Sequence, residues 1–199
     1  MIRAVFVDLS GVLVRNRLSD LYNKFEEKYG LSKATFRQVL HFLSLGPTTK
    51  VSLPEYLKTL SVPQTVWNEF VGQFHSSETI NADLAAILHL AKQKGIKIII
   101  TSNNVTDIKP RLADFGAANL PDLIIASGDI GLTKPDPAFW QFALSETKKL
   151  CPDINPAAVL VIDDHPDNLS SAEDLGFQIL SYMGDPTIIH ETLRHHLAL

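Results

Sequence analysis

The stretch "AVFVDLSGVLV", Ala4–Val14, carries four apolar residues into Asp8, passes Ser10 and meets a glycine at Gly11. A short apolar run without in/out alternation reads as a strand covered on both faces, the pattern of parallel sheets. In open parallel sheets, ligands bind in the crevice beyond the carboxyl ends of the strands. The stretch therefore sets two expectations: a doubly covered parallel sheet, and a site at the edge where Asp8 emerges.

Four further runs share this texture: "IKIIIT" (96–101), "DLIIAS" (122–127), "AVLVID" (158–163) and "FQILSY" (177–182). Helical patterns lie between most of them. In 82–94, Leu84, Ile87, Leu88 and Ala91 recur at helical spacing behind Asn81 as N-cap, and Gly95 stops the pattern. Asp136-Pro137 opens another helix, and 166–175 forms a third that stops at Gly176. The alternation predicts an α/β fold, a Rossmann-like parallel sheet with right-handed crossovers and helices on both faces.

Residues 15–80 differ, with no convincing strand and apolar residues at helical spacing. Leu18, Leu21, Tyr22 and Phe25 form one stripe; Phe36, Val39, Leu40 and Leu43 form another. Ser52 and Glu55 make a capping-box pattern before Tyr56, and Trp67, Phe70, Val71 and Phe74 complete the set. These aromatics read as the core of a helical bundle. The expected organisation is a core of 1–14 and 81–199, with a small helical module, 15–80, inserted after the first strand.

Composition narrows the class. The 199 residues, 45% hydrophobic and 20% charged, suit one good-sized domain or a domain with a small module. A formal charge of −4 offers no overall attraction to nucleic acid or an anionic membrane. The single cysteine, Cys151, excludes an intramolecular disulfide framework and a cysteine metal cluster, and it reads as an inert thiol at a helix end. The sequence enters its first strand at once, without a signal-peptide pattern, and no apolar run approaches membrane-spanning length. A cytoplasmic protein without a nucleic-acid or membrane partner is expected, as a monomer or homodimer.

Reading each strand to its end collects candidate site residues. The first gives Asp8 and Ser10; the second gives Thr101, Ser102, Asn103 and Asn104. The loop "GLTKPDPAF" (131–139) carries Lys134 into a helix start, and the fourth run ends on Asp163, Asp164 and His165. Carboxylates suit a hard divalent cation such as Mg²⁺. A hydroxyl, backbone N–H groups and a lysine suit phosphate oxygens. An aspartate can also act as a nucleophile in phosphoryl transfer.

Four segments, "FVDLSGVL", "IIITSNN", "GLTKPDPAFW" and "VLVIDDHPDNLSSAEDLGF", resemble in order and spacing the four motifs of the haloacid dehalogenase (HAD) superfamily. The helical module resembles that superfamily's small cap. The resemblance implies that Asp8 is the nucleophile and a Mg²⁺ ligand, and that Ser10 offers the metal its backbone carbonyl. Ser102 and the amide of Asn103 would hold the phosphoryl group. Lys134 would neutralise charge beside Asp8 and the phosphate, and Asp164, supported by Asp163, would complete the metal site. The implied activity is hydrolysis of a small phosphorylated metabolite through an aspartyl-phosphate, a reaction that needs positioning and charge neutralisation above all.

One departure stands out. Phosphatase members commonly carry a second aspartate two residues after the nucleophile, as proton donor to the leaving group; here that place holds Ser10. Three readings stay open. One is a phosphatase acting on good leaving groups. Another is dehalogenase or phosphonatase chemistry, the latter needing a Schiff-base lysine such as Lys24, Lys28, Lys33, Lys50 or Lys58. The third is a binding protein with little turnover. The intact Asp163-Asp164 pair argues for a metal and against dehalogenation. Asn168 reads as orienting the last motif's loop, His165 as a turn residue at the rim, and Arg15 and Arg17 as junction charges or contacts to an anionic substrate tail. "IIHETLRHHLAL" (188–199) reads as an amphipathic helix docking Ile189, Leu193 and Leu197, with His190, His195 and His196 mainly exposed.

Overall fold

The computed structural model describes residues 1–103, 108–182 and 186–197, with side chains for all of these except Pro47 and 186–190. Strand β1, Ala4–Val7, is followed by a two-residue strand β2, Val14–Arg15. Helices α1 (Leu18–Tyr29), α2 (Lys33–Ser44), α3 (Leu53–Thr59) and α4 (Gln64–Ser76) come next. After β3, Thr79–Ile80, the chain runs through α5 (Ala82–Gln93), β4 (Lys97–Ser102), α6 (Ile108–Asp114), β5 (Leu123–Ala126) and α7 (Ser127–Ile130). It ends with α8 (Pro137–Lys148), β6 (Val159–Asp163), α9 (Pro166–Glu173), β7 (Gln178–Ser181) and α10 (Pro186–Leu197).

The main sheet is parallel throughout, in the order β5-β4-β1-β6-β7. Successive side chains point to opposite faces of a strand, and both faces are buried. Val5, Val7, Ile98, Ile100, Leu160 and Ile162 pack on one side with Leu84 and Leu88 of α5 and Leu193 of α10. Ala4, Phe6, Ile99, Val159 and Val161 pack on the other with Phe139 and Trp140 of α8 and Leu169 of α9. Two apolar coats explain the missing alternation in these runs. Asn81 caps α5 as expected, its side chain accepting from Leu84 N–H at 3.4 Å, and Asp136 caps α8 by accepting from Ala138 N–H at 2.8 Å. On α10, Leu193 and Leu197 are buried and His195 is exposed; the side chains of Ile189 and His190 lie outside the described residues.

Strand order makes β1 the switch point. The chain leaves β1 for β4 and β5 on one side, then returns to β6 and β7 on the other, which opens a crevice at the carboxyl end of β1. Val7 is level with Ile100 and with Ile162, so the next residue on each strand, Asp8, Thr101 and Asp163, emerges at one edge.

Helices α1 to α4 enclose their own aromatic cluster. Phe36 and Phe70 stack with centroids 4.3 Å apart, and Phe25 meets both edge-on at 5.5 and 5.3 Å. Such offset and edge-to-face contacts suit the ring quadrupoles and add to the area buried. The stretch 15–80 is not free of strand, however: Val14–Arg15 pairs antiparallel with Thr79–Ile80, so the chain leaves and rejoins the core through a two-stranded ribbon. Gly46, after α2, lies so close to Gly128 of α7 that a Cβ there would collide with the Gly128 carbonyl. Because α7 follows β5 directly, this contact sets the helices over the carboxyl edge of the sheet.

The aromatic cluster is therefore a packed core of its own. Phe70→Ala should lower stability by about 3–5 kcal/mol, read from the urea midpoint of the fluorescence of Trp67, which packs on Phe70. A loss under about 1 kcal/mol would mean the rings pack loosely.

Candidate active site

Lys134 is the centre of the carboxyl edge. It is 4% exposed, and its Nζ donates to Asp8 Oδ1 at 2.7 Å, Asp163 Oδ2 at 2.6 Å and the Thr101 carbonyl at 3.0 Å. The three N–H bonds of one ammonium are thus all used. The loop carrying it is clamped by Asn103, whose side chain accepts from Lys134 N–H and donates to the Lys134 carbonyl, both at 2.8 Å. Asp163 is held as firmly: its Oδ1 accepts from His165 N–H and from Asn168 Nδ2, both at 2.9 Å.

Asp164 approaches from the end of β6. The site oxygens of Asp8, Asp163 and Asp164 lie within 4.8 Å of one another, close enough to share one cation. Gly11 makes this possible. It has φ +93°, a conformation open to glycine, and a Cβ there would collide with the Asp164 carboxylate. Ser10 sits between, half-buried, in the turn closed by the Gly11 N–H to Val14 carbonyl bond at 2.8 Å. Ser102 is buried at the last position of β4, next to Thr101. Asn104 lies outside the described residues.

Charge at this edge does not balance. Three carboxylates facing one ammonium leave two negative charges uncompensated. Burial raises the Asp8 carboxyl to about 6; Lys134 pulls it down, while Asp163 and Asp164 push it up. Burial alone would lower Lys134, but Asp8 and Asp163 outweigh that cost and hold it above the usual lysine value. Asp164 is raised by burial and then by Asp163. An oxygen-only donor set with a surplus of two negative charges fits a hard dication such as Mg²⁺.

A buried carboxylate, a buried lysine and an acidic pair stand together at the switch point of a parallel sheet. The sequence model of the haloacid dehalogenase-like hydrolases fits residues 2–176. The chain belongs to this family. Among relatives of this HAD-like hydrolase, rat bifunctional epoxide hydrolase 2 is 28% identical over 115 residues, 55% of this chain and 20% of that one. Phosphoserine phosphatase of Thermus thermophilus is 28% identical over 82 residues, 41% of this chain and 31% of that one. The matches thus span less than a third of either relative's length. A HAD-family enzyme of Bacteroides thetaiotaomicron, solved with magnesium and inorganic phosphate, superposes with a TM-score of 0.69 at 17% identity, covering 93% of this chain and 96% of that one.

The remaining candidates of this HAD-like hydrolase fall elsewhere. Arg15 donates to the Tyr182 hydroxyl at 3.0 Å, and Arg17 is exposed at the start of α1. Lys24 and Lys28 reach Gln73 and Glu69, and Lys33, Lys50 and Lys58 are exposed, so none of the five stands as a buried Schiff-base amine. His165 is exposed at the start of α9. Reading the sequence missed the Asn103 clamp and the Thr101 carbonyl. The clamp had a signal in the second asparagine-bearing strand end facing the Lys134 loop, but a backbone carbonyl has none.

Asp8 carries a cost that metal relieves. Its folded value is raised, so its contribution to stability is full below about 4 and is lost as pH rises through about 6. In EDTA the melting temperature should therefore fall between about pH 4 and 6 and level off above that, and Asp8→Asn should flatten that fall. Saturating Mg²⁺ at pH 7.5 should raise the wild-type melting temperature by mass action. A pH-independent melting temperature in EDTA would contradict this account.

Proposed function

We propose that this HAD-like hydrolase is a Mg²⁺-dependent phosphomonoesterase that works on a small phosphorylated metabolite through an aspartyl-phosphate. The observation that carries the reading is Asp8: a buried carboxylate, fixed by Lys134 and set among surplus negative charge. Bound Mg²⁺, held by Asp8 and Asp164 with the Ser10 carbonyl, would neutralise phosphoryl charge beside the nucleophile. Asp163 belongs to the same set, but with Lys134, His165 N–H and Asn168 already on its two oxygens its larger task is to hold Lys134. The magnesium and phosphate in the Bacteroides enzyme and the Thermus phosphoserine phosphatase support the assignment.

In the proposed reaction, one Asp8 oxygen attacks phosphorus while the ester P–O bond breaks, and the leaving oxygen keeps the electron pair. Lys134 meets the charge of the transferring group, and the Ser102 hydroxyl and Asn103 N–H hold its oxygens. Water then attacks the same phosphorus, the P–O bond to Asp8 breaks, and free carboxylate and inorganic phosphate result. The helices above the edge act as a cap that limits water during the first step. Ser10 cannot protonate the leaving oxygen as a carboxylic acid would, which places the burden on the leaving group.

Phosphate release from acetyl, phenyl and alkyl phosphates tests this. Turnover should need Mg²⁺, vanish in EDTA and fall at least about 10³-fold in Asp8→Asn. Ser10→Asp should raise alkyl phosphate hydrolysis by on the order of 10²-fold and acetyl phosphate hydrolysis much less. Phosphate that binds with Mg²⁺ but is never released from any ester would favour the non-catalytic reading, which the serine at position 10 also suits.

A further inference from the structure

Between the acidic edge and the helices lies a cavity of about 210 Å³, lined by Ser10, Asn103, Asn16, Leu18, Leu40, Leu43 and Phe74. Ser10 and Asn103 belong to the edge, so the cavity opens from the place a leaving group would occupy. Its other walls come from Asn16, just before α1, and from α1, α2 and α4. These side chains are half-buried at the rim of the aromatic cluster rather than inside it.

We infer that the leaving group is a compact apolar body about one aromatic ring in size, so that the preferred substrate is an aryl phosphate with no second charged group. This inference rests on the phosphomonoesterase reading. Size supports it, since an apolar cavity of about 150 Å³ lined by Leu, Ile and Phe takes up benzene. Wall chemistry supports it too: three leucines and a phenylalanine face three uncharged polar residues. Three nearby cations are committed elsewhere, and Arg17, between the lining residues Asn16 and Leu18, is exposed and does not line the cavity. Lys134 lies on Asp8 and Asp163, Arg15 on Tyr182, and Arg111 on Glu78, with its guanidinium carbon 5.8 Å from the Phe74 ring centroid. A carboxylate carried into this space would be desolvated with no cation among the described lining residues to meet it. Ser10 points the same way. A phenolate, whose conjugate acid ionises near 10, departs without the proton an alkoxide needs. In this step the phosphoryl group passes to Asp8, the phenolate leaves with the bonding pair, and it takes its proton from solvent.

The test compares kcat/KM, with Mg²⁺, for phenyl phosphate, 4-carboxyphenyl phosphate, phosphoserine, phosphoglycolate and acetyl phosphate. The carboxylate of 4-carboxyphenyl phosphate makes its phenolate the better leaving group, so chemistry alone would favour it. The cavity reverses that order: phenyl phosphate should be preferred at least tenfold over it and over both charged alkyl esters. Leu43→Lys should shift the ratio at least tenfold toward 4-carboxyphenyl phosphate. Leu40→Trp, which fills the cavity, should depress phenyl phosphate at least tenfold more than acetyl phosphate, and it stands in if the lysine variant fails to fold. If 4-carboxyphenyl phosphate or either charged alkyl ester equals phenyl phosphate, the inference is overturned while Asp8-dependent acetyl phosphate hydrolysis leaves the parent reading intact. Absence of Asp8-dependent release from acetyl and phenyl phosphate alike overturns both.

Discussion

One buried ammonium organises the working edge of this protein. Lys134 loses its water and is repaid only because Asp8, Asp163 and the Thr101 carbonyl present acceptors at hydrogen-bonding distance on every side. Those acceptors come from β1, β6 and β4, so the geometry is available only when the three strands end level, and the parallel register provides that. The supports radiate outward. Asn103 pins the lysine's backbone, and Asn168 with the His165 N–H pins Asp163. A polar network buried this deeply is costly unless its members are satisfied, and Lys134 and Asp163 each have a partner on every donor or acceptor atom of their side chains.

Lys134 and Asp163 are satisfied in hydrogen bonds, while the edge as a whole is unsatisfied in charge. Asp164 adds a third carboxylate that Lys134 does not neutralise, and the chain makes room for it with a glycine in a conformation other residues avoid. The elevated Asp8 carboxyl records the cost of burial first and of the neighbouring Asp163 and Asp164 second. The same surplus of carboxylate oxygens suits a dication, so the like charge gathered at this edge is also what fits it to Mg²⁺.

The helices over the edge serve a different need. Their aromatic cluster makes them self-supporting, and the β2–β3 ribbon returns them to the point where they left. Asn81 joins this junction to the core: its side chain donates to the Val12 carbonyl at 3.2 Å and to the Tyr182 hydroxyl at 2.5 Å, and Arg15 donates to the same hydroxyl. With the module fixed at its root and seated on α7 through Gly46, the rim leucines and Phe74 stand opposite Ser10. Half of the cavity wall is thus apolar and half is polar.

Much of this was legible from residue order. Periodicity distinguished doubly covered strands from amphipathic helices, because burial on two faces erases alternation while burial on one imposes a helical stripe. Local chemistry marked Asn81 and Asp136 as caps, strand-end position marked Asp8, Ser102, Asp163 and Asp164 as candidates, and the glycine-bearing loop before a helix start marked Lys134. Leu18, Leu40, Leu43 and Phe74 were read as bundle core, since a stripe does not reveal which of its members sits at the rim. The ribbon of β2 and β3 was missed because two residues carry no period. The sequence alone determined which residues end each strand, since chain order and hydrophobic period are local properties. Tertiary structure alone decided that Lys134 lies between Asp8 and Asp163, that Asn103 clamps it and that three leucines face the serine. Those relations join residues up to 126 positions apart in sequence, and only packing of the sheet and helices sets such distances.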